Sequence, residues 1–213
     1  NLIDPIKLTF DRAVFQKSMQ QLIEDEISRQ RDKTATNVIG YFHQNIFRYF
    51  PNCVVPREGW DVIVTQKDGT KIYVEMKNKH NTMNAASSQK TYIQMQNQIM
   101  QTPNDFCFLV EAIAPCSRNI PWGCSVNKIH CEHAHIRRVS MDQFYAIVTG
   151  ETTAFFEMCM QLPKTIEKIV RQNRNLTVQK DTVLEELQQM HPDLQIALYQ
   201  LAFATYDGFS LLK

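Results

Sequence analysis

No uninterrupted apolar run of roughly 18 residues or more, the length that would mark a membrane span, occurs in this 213-residue chain. No signal-peptide pattern opens it either, so the expectation is a soluble, cytoplasmic protein with no membrane partner. The six cysteines, at 53, 107, 116, 124, 131 and 159, include no Cys-x-x-Cys pair. That argues against a disulfide framework and against a standard zinc ribbon. Charge of one sign is also missing: 23 Lys and Arg stand against 22 Asp and Glu, a formal net charge of +1. Composition therefore does not announce a polyanion binder, and any basic surface must come from clustering. There are no internal repeats and no low-complexity segments. The chain opens on Asn1 rather than Met, which leaves its native start open.

What is present suits a globular core. With 44% hydrophobic and 21% charged residues, 213 residues can form one domain, with its core at about 35–140 and a helical C-terminal part at about 140–213. Periodicity predicts amphipathic helices over 8–31 (Phe10, Val14, Met19, Leu22, Ile23, Ile27) and 35–50 (Val38, Ile39, Phe42, Ile46, Phe47, Phe50), the second ended by Pro51. A short strand near 53–55, a hairpin, a helix at 88–101 with Ser87 as its N-cap, and an apolar strand at 106–113 follow. A strand at 134–139 and helices at about 140–149, 152–173, 180–190 and 194–205 complete the reading. This order predicts an α/β fold, a mixed sheet with helices on both faces.

The chemistry concentrates in the hairpin. Residues 60–65 (WDVIVT) and 71–77 (KIYVEMK) are β-branched and aromatic, separated by Lys67-Asp68-Gly69. In the second strand the period of two puts Tyr73, Glu75 and Lys77 on one face. The loop length then decides where Asp61 points. A two-residue Asp68-Gly69 loop would set Asp61 opposite Met76, with the carboxylates on opposite faces. A three-residue Lys67-Asp68-Gly69 loop pairs Gln66 with Thr70 and brings Asp61 opposite Glu75. The second register is the one expected, because opposed residues lie roughly 4.5–5.5 Å apart at Cβ and two carboxylates that close can share a small cation. All-oxygen ligation suits Mg²⁺ or Mn²⁺. Lys77 would add a fixed charge or a proton-transfer group. The competing reading is a surface hairpin with ordinary ion pairs.

Directly after Lys77 the chain runs Asn78-Lys79-His80-Asn81-Thr82-Met83-Asn84-Ala85-Ala86-Ser87-Ser88-Gln89-Lys90, rich in amide, hydroxyl and basic groups and free of acids. These are groups that contact phosphates and base edges. Asn78, Lys79, His80, Asn81, Asn84, Ser87, Ser88, Gln89 and Lys90 are accordingly DNA-binding candidates; a polar loop leading into a helix is the plainer account. Lys164, Lys168 and Arg171 form a second basic group on one face of the helix at 152–173, with Arg174 just beyond. A solvated face explains them as well. Glu24, Asp25 and Glu26 on the first helix, and Glu58 three residues before Asp61, are weighed as extra metal contacts, with a solvated face the favoured reading for the helix acids. Glu111 is an isolated acid in an apolar strand. Cys116, Cys124 and Cys131 crowd with His130, His133 and His135 at spacings that match no standard zinc module, so a DNA-contacting loop is favoured over structural zinc.

Three stretches carry a resemblance: Gly59-Trp60-Asp61, the run from Val74-Glu75-Met76-Lys77 to Asn84, and Val139 to Gly150. In them the chain resembles the PD-(D/E)xK nucleases, and more closely the type II restriction endonucleases of the group that cuts GGNCC. The Pro that often precedes the Asp in that family is replaced by Trp60. The resemblance implies a restriction-endonuclease-like sheet flanked by helices, with additional C-terminal helices. It implies Asp61, Glu75 and Lys77 as catalytic residues, with Asp61 and Glu75 holding Mg²⁺, for which Mn²⁺ can substitute. The implied reaction is sequence-specific hydrolysis of double-stranded DNA that leaves 5′-phosphates. A repair or junction-resolving nuclease on the same fold is the alternative, and a catalytically silent DNA-binding module a more distant one. A palindromic site matches a two-fold axis, so a homodimer is expected, with the C-terminal apolar run Leu194, Ile196, Ala197, Leu198, Tyr199, Leu201, Phe203, Tyr206 and Phe209 as a candidate interface.

Overall fold

The computed structural model describes residues 3–172 and 182–203. Its strands are β1 (Cys53–Val54), β2 (Val62–Thr65), β3 (Lys71–Lys79), β4 (Phe106–Ile113), β5 (Asn119–Pro121), β6 (Cys124–Val126), β7 (Ile129–Cys131) and β8 (Ile136–Ser140). Its helices are α1 (Pro5–Phe15), α2 (Met19–Asn45), α3 (Ala85–Gln101), α4 (Met141–Thr149), α5 (Ala154–Gln172), α6 (Val183–Met190) and α7 (Leu194–Phe203). Contacts divide the chain into two compact units, residues 38–173 and residues 1–37 with 174–213.

The first unit carries a six-stranded mixed sheet in the order β1-β2-β3-β4-β8-β5, the architecture expected. β1, β2 and β3 are antiparallel neighbours, β3, β4 and β8 run parallel, and β5 closes the far edge antiparallel. α3 makes the crossover from β3 to β4 that a parallel pair requires. On one face Val62, Val64, Ile72, Val74, Met76, Phe108, Val110 and Val139 pack with Phe47 and with Phe144, Tyr145 and Val148 of α4. On the other, Cys107, Leu109 and Ile136 pack with Tyr92, Met95 and Ile99 of α3 and with Trp122. Glu75 and Lys77 share the parity of this second face.

The hairpin has the expected three-residue loop. Gln66 N donates to Thr70 O at 2.8 Å and Gly69 N to Gln66 O at 3.0 Å, with Gly69 left-handed at φ 87°. The pairs run from Thr65 with Lys71 to Val62 with Val74. The regular ladder stops there, one residue short of Asp61, whose N–H donates to Val74 O at 2.9 Å.

Three local readings are corrected. The break between the first two helices falls at 16–18 rather than near 32–34, because Gln16 is left-handed at φ 53° and Ser18 and Gln21 form a reciprocal cap, Ser18 N to Gln21 Oε1 at 3.0 Å and Gln21 N to Ser18 Oγ at 3.2 Å. No Pro or Gly interrupts 31–35, so α2 runs on for 27 residues. The cap of α3 is Asn84, accepting from Ser87 N at 2.8 Å, and not Ser87. Three short strands, β5 to β7, occupy the cysteine- and histidine-rich segment expected to be a loop; runs of three residues carry too little periodicity to register.

The expected helical C-terminal part is shared out. α4 and the start of α5 (Ala154, Phe155, Met158) pack with the sheet, whereas α6 and α7 belong to the other unit, whose core joins Leu187, Ala197 and Leu198 to Leu8, Met19, Leu22 and Ile23. The apolar run expected as an interface therefore spends Ala197 and Leu198 on core packing, while Tyr206 and Phe209 lie outside the described residues. Among the described residues no helix is long and apolar enough to cross a membrane.

Candidate catalytic centre

Asp61 sits where β2 begins, partly buried and held at both oxygens. Met76 N donates to Oδ2 at 2.6 Å, and Gln44 Nε2, in the last turn of α2, donates to Oδ1 at 2.7 Å. Trp60, standing before it, packs its ring 5.6 Å from that of Tyr73. Burial pushes the Asp61 carboxyl up to about 6 against the Met76 N–H bond that lowers it, the negative charge of Glu75 adding to the rise and Lys77 opposing it. Glu75 and Lys77 follow on β3, with Lys77 Nζ 2.7 Å from Glu75 Oε1. Asp61, Glu75 and Lys77 are thus close enough to act on one another electrostatically.

Beside Lys77 in the β3–β4 pairing stands Glu111, 1% exposed. Two guanidiniums answer it: Arg118 Nη2 at 2.5 Å from Oε2 and Arg138 Nε at 2.6 Å from Oε1. Arg138 also donates to the carbonyl of His80 at 2.8 Å, tying the end of β3 to the cluster. Sequence reasoning singles out neither arginine, although an acid inside FCFLVEAI is itself the sign that cations must converge on it. It misses Gln44 as well; a glutamine in an amphipathic helix carries no mark of its distant partner.

The DNA-binding candidates separate into groups. Lys79, His80 and Ser88 line a pocket of about 130 Å³ together with Lys77, Glu111 and Arg138. Asn81, Ser87 and Lys90 are exposed around the start of α3, Asn84 caps it, Gln89 bonds Asn127 at 3.0 Å, and Asn78 lies on β3. Lys164, Lys168 and Arg171 are exposed on α5, whose packing residues sit against the opposite sheet face, and Arg171 is 3.5 Å from Glu167. Arg174 lies outside the described residues. Glu26 is buried in an ion pair with Arg29 rather than solvated, Asp25 pairs with Lys17, and Glu58 is exposed. Among the described residues no group of three His, Cys, Asp or Glu side chains converges as a metal cluster.

Two acids and a lysine gather where β2 and β3 run side by side, with a polar, basic margin beside them, and the class of protein, a site-specific deoxyribonuclease of the type II restriction kind, follows from the chain's relatives. The sequence comparison carries the assignment to a family. The family model described as Eco47II restriction endonuclease matches residues 1–171, and the chain belongs to that family. It is 31% identical over 182 residues to the type II restriction enzyme Sau96I of Staphylococcus aureus, a match covering 82% of this chain and 69% of that protein. It is 28% identical over 186 residues to the type II restriction enzyme Eco47II of Escherichia coli, covering 80% and 74%.

Proposed function

We propose that the chain hydrolyses double-stranded DNA at a GGNCC-type site, with Mg²⁺ bound by Asp61 and Glu75 and Lys77 acting beside it. Enzymes of this family are generally metal-dependent, and the donor set supports the hard, oxygen-seeking ion. Two carboxylates are present, with neither thiolate nor imidazole among them, and one of them is an acid that burial has left in need of a cation. When bound, such a cation acidifies an attacking water and neutralises charge on the phosphate. Met76 N–H and Gln44 hold the Asp61 carboxylate in one orientation. Lys77, held 2.7 Å from Glu75 beside the site, would supply a positive charge to the reacting phosphate, where negative charge builds in the transition state. In-line attack leaves a 5′-phosphate and a 3′-hydroxyl. Lys79, His80, Ser88 and Lys90 supply backbone contacts along the same margin.

The observation that carries this reading is the joint placement of Asp61, Glu75 and Lys77 about one charge-coupled point. One such centre per chain serves one strand, so a double-strand cut calls for two copies; the working form is a homodimer in the cytoplasm. The apolar residues Ile166, Ile169 and Val170, exposed on α5 on the side away from Lys164, Lys168 and Arg171, favour a surface made for contact. Digestion of a plasmid of known sequence with Mg²⁺ tests the function. Discrete fragments ending at GGNCC sites are expected; nicking that follows DNA structure would instead mean a repair or junction-resolving nuclease, and intact plasmid a binding module.

A further inference from the structure

The hairpin of β6 and β7 belongs to no layer of the main sheet. It pairs Cys124 with Cys131, Ser125 with His130 and Val126 with Ile129 across the two-residue turn Asn127-Lys128. Its inner face is accounted for, since Cys124, Val126 and Cys131 pack on the cluster of Tyr92, Met95 and Trp122. Its outer face presents Ser125 and His130, both exposed, and its tip exposes Asn127, Lys128 and Ile129. Thiols that fill a docking face need no metal, which removes the reason to read this segment as a zinc site.

We infer that the β6–β7 hairpin is a base-reading element that enters the DNA major groove, with Lys128 and His130 donating to the acceptor edge of guanine. This rests on the proposed function, and four observations carry it. First, the hairpin flanks the catalytic margin: Trp122, just before it, lines the pocket that also holds Lys77, His80 and Ser88. Second, the tip is anchored to the same margin, Gln89 of α3 donating to Asn127 Oδ1 at 3.0 Å. Third, Lys128 is left-handed at φ 68°, after Asn127 at φ 50°, a turn in which the second position favours glycine. A lysine there strains the turn and gains no packing, so its ammonium is the feature the position offers. Fourth, the His130 ring lies over Gly123, where an added Cβ would come within 2.5 Å of its Cε1. Glycine thereby makes room for the ring to lie against the backbone, with the acid Glu132 on the same side.

The shape fits as well as the chemistry. A two-stranded ribbon enters a major groove about 12 Å wide, and guanine presents O6 and N7 there as paired acceptors. Lysine and an imidazole N–H are donors, and asparagine and serine can take either role.

The parent enzyme's recognised site is first read from the ends of its plasmid fragments. Cleavage kcat/KM is then measured for that site and for duplexes altered at one G·C pair, for the parent, Lys128→Gly and His130→Ala. Lys128→Gly removes the side chain while relieving the turn, so a Tm equal to or above the parent's is expected alongside a loss of discrimination of about tenfold or more. His130→Ala should lose a comparable factor without lowering Tm by more than a few degrees. Weakening by the same factor on every duplex, with a shallower salt dependence, would make these residues phosphate contacts and overturn base reading. Unchanged discrimination in both variants overturns it too. A parent that shows no sequence preference would sink the proposed function, a different result from a selective parent whose variants stay selective.

Discussion

Gln44 donates a 2.7 Å hydrogen bond to Asp61 across 17 positions of sequence, joining the last turn of α2 to the start of β2. With Met76 N on the other oxygen, the proposed metal acid is fixed from a helix and from a strand at once. Groups that orient a ligand in this way typically alter metal affinity or activity by about 10- to 100-fold when removed. Gln44→Ala should therefore raise the Mg²⁺ concentration giving half-maximal cleavage by roughly tenfold, with Tm little changed. A Mg²⁺ titration of cleavage rate checks it; an unchanged midpoint would leave the bond without a positioning role.

Asp61→Asn, Glu75→Gln and Lys77→Ala should each reduce cleavage by on the order of 10²–10³ or more while DNA binding persists. Gel-shift and cleavage assays on the same duplex separate the two effects. Any of the three that cuts at the parental rate does not belong to the centre.

Stability should depend on pH through Asp61. Its carboxyl is raised from 3.8 to about 6 in the fold, so its contribution is fully present below about pH 4 and is lost as pH rises through 6. At pH 8 the buried charge destabilises the metal-free protein by at most about 3 kcal/mol, since each tenfold change in proton affinity corresponds to roughly 1.4 kcal/mol and water near the site lowers the cost. Asp61→Asn should accordingly raise Tm at pH 8 and leave it nearly unchanged at pH 4. Mg²⁺ should raise the parent's Tm at pH 8 and the variant's much less. Thermal melts at the two pH values, with Mg²⁺ and with chelator, decide it.

Glu111→Gln should destabilise by about 3–5 kcal/mol, because it leaves Arg118 and Arg138 converging on a neutral group in a buried setting. Chemical denaturation measures this. A loss below about 1 kcal/mol would mean the arginines find water instead.

Gly69→Ala should cost about 1 kcal/mol. Open space surrounds the position, so the penalty comes from φ 87° alone, and Gly69→Asn should recover part of it. Equal stability of Gly69→Ala and the parent in urea unfolding would contradict a left-handed requirement there.

Short-range patterns were enough for much of this molecule. Alternation in KIYVEMK sets Glu75 and Lys77 on one face, whereas the turn letters admit two loops, and the demand that Asp61 and Glu75 meet at one cation picks the register that β2 and β3 adopt. The apolar run FCFLVEAI marks the central strand, as its burial bears out. The neighbours of these elements are another matter. That Gln44 reaches Asp61, that Arg118 and Arg138 close on Glu111, and that Cys124 and Cys131 turn inward on Trp122 depend on which elements the fold brings side by side. Nor did sequence place the helix break at Gln16, where one left-handed residue and a reciprocal cap outweigh a continuing amphipathic pattern. Period and turn chemistry act over a few residues and are written in consecutive letters. Buried charge must be answered by whatever side chain the packing delivers, and only the assembled sheet delivers it.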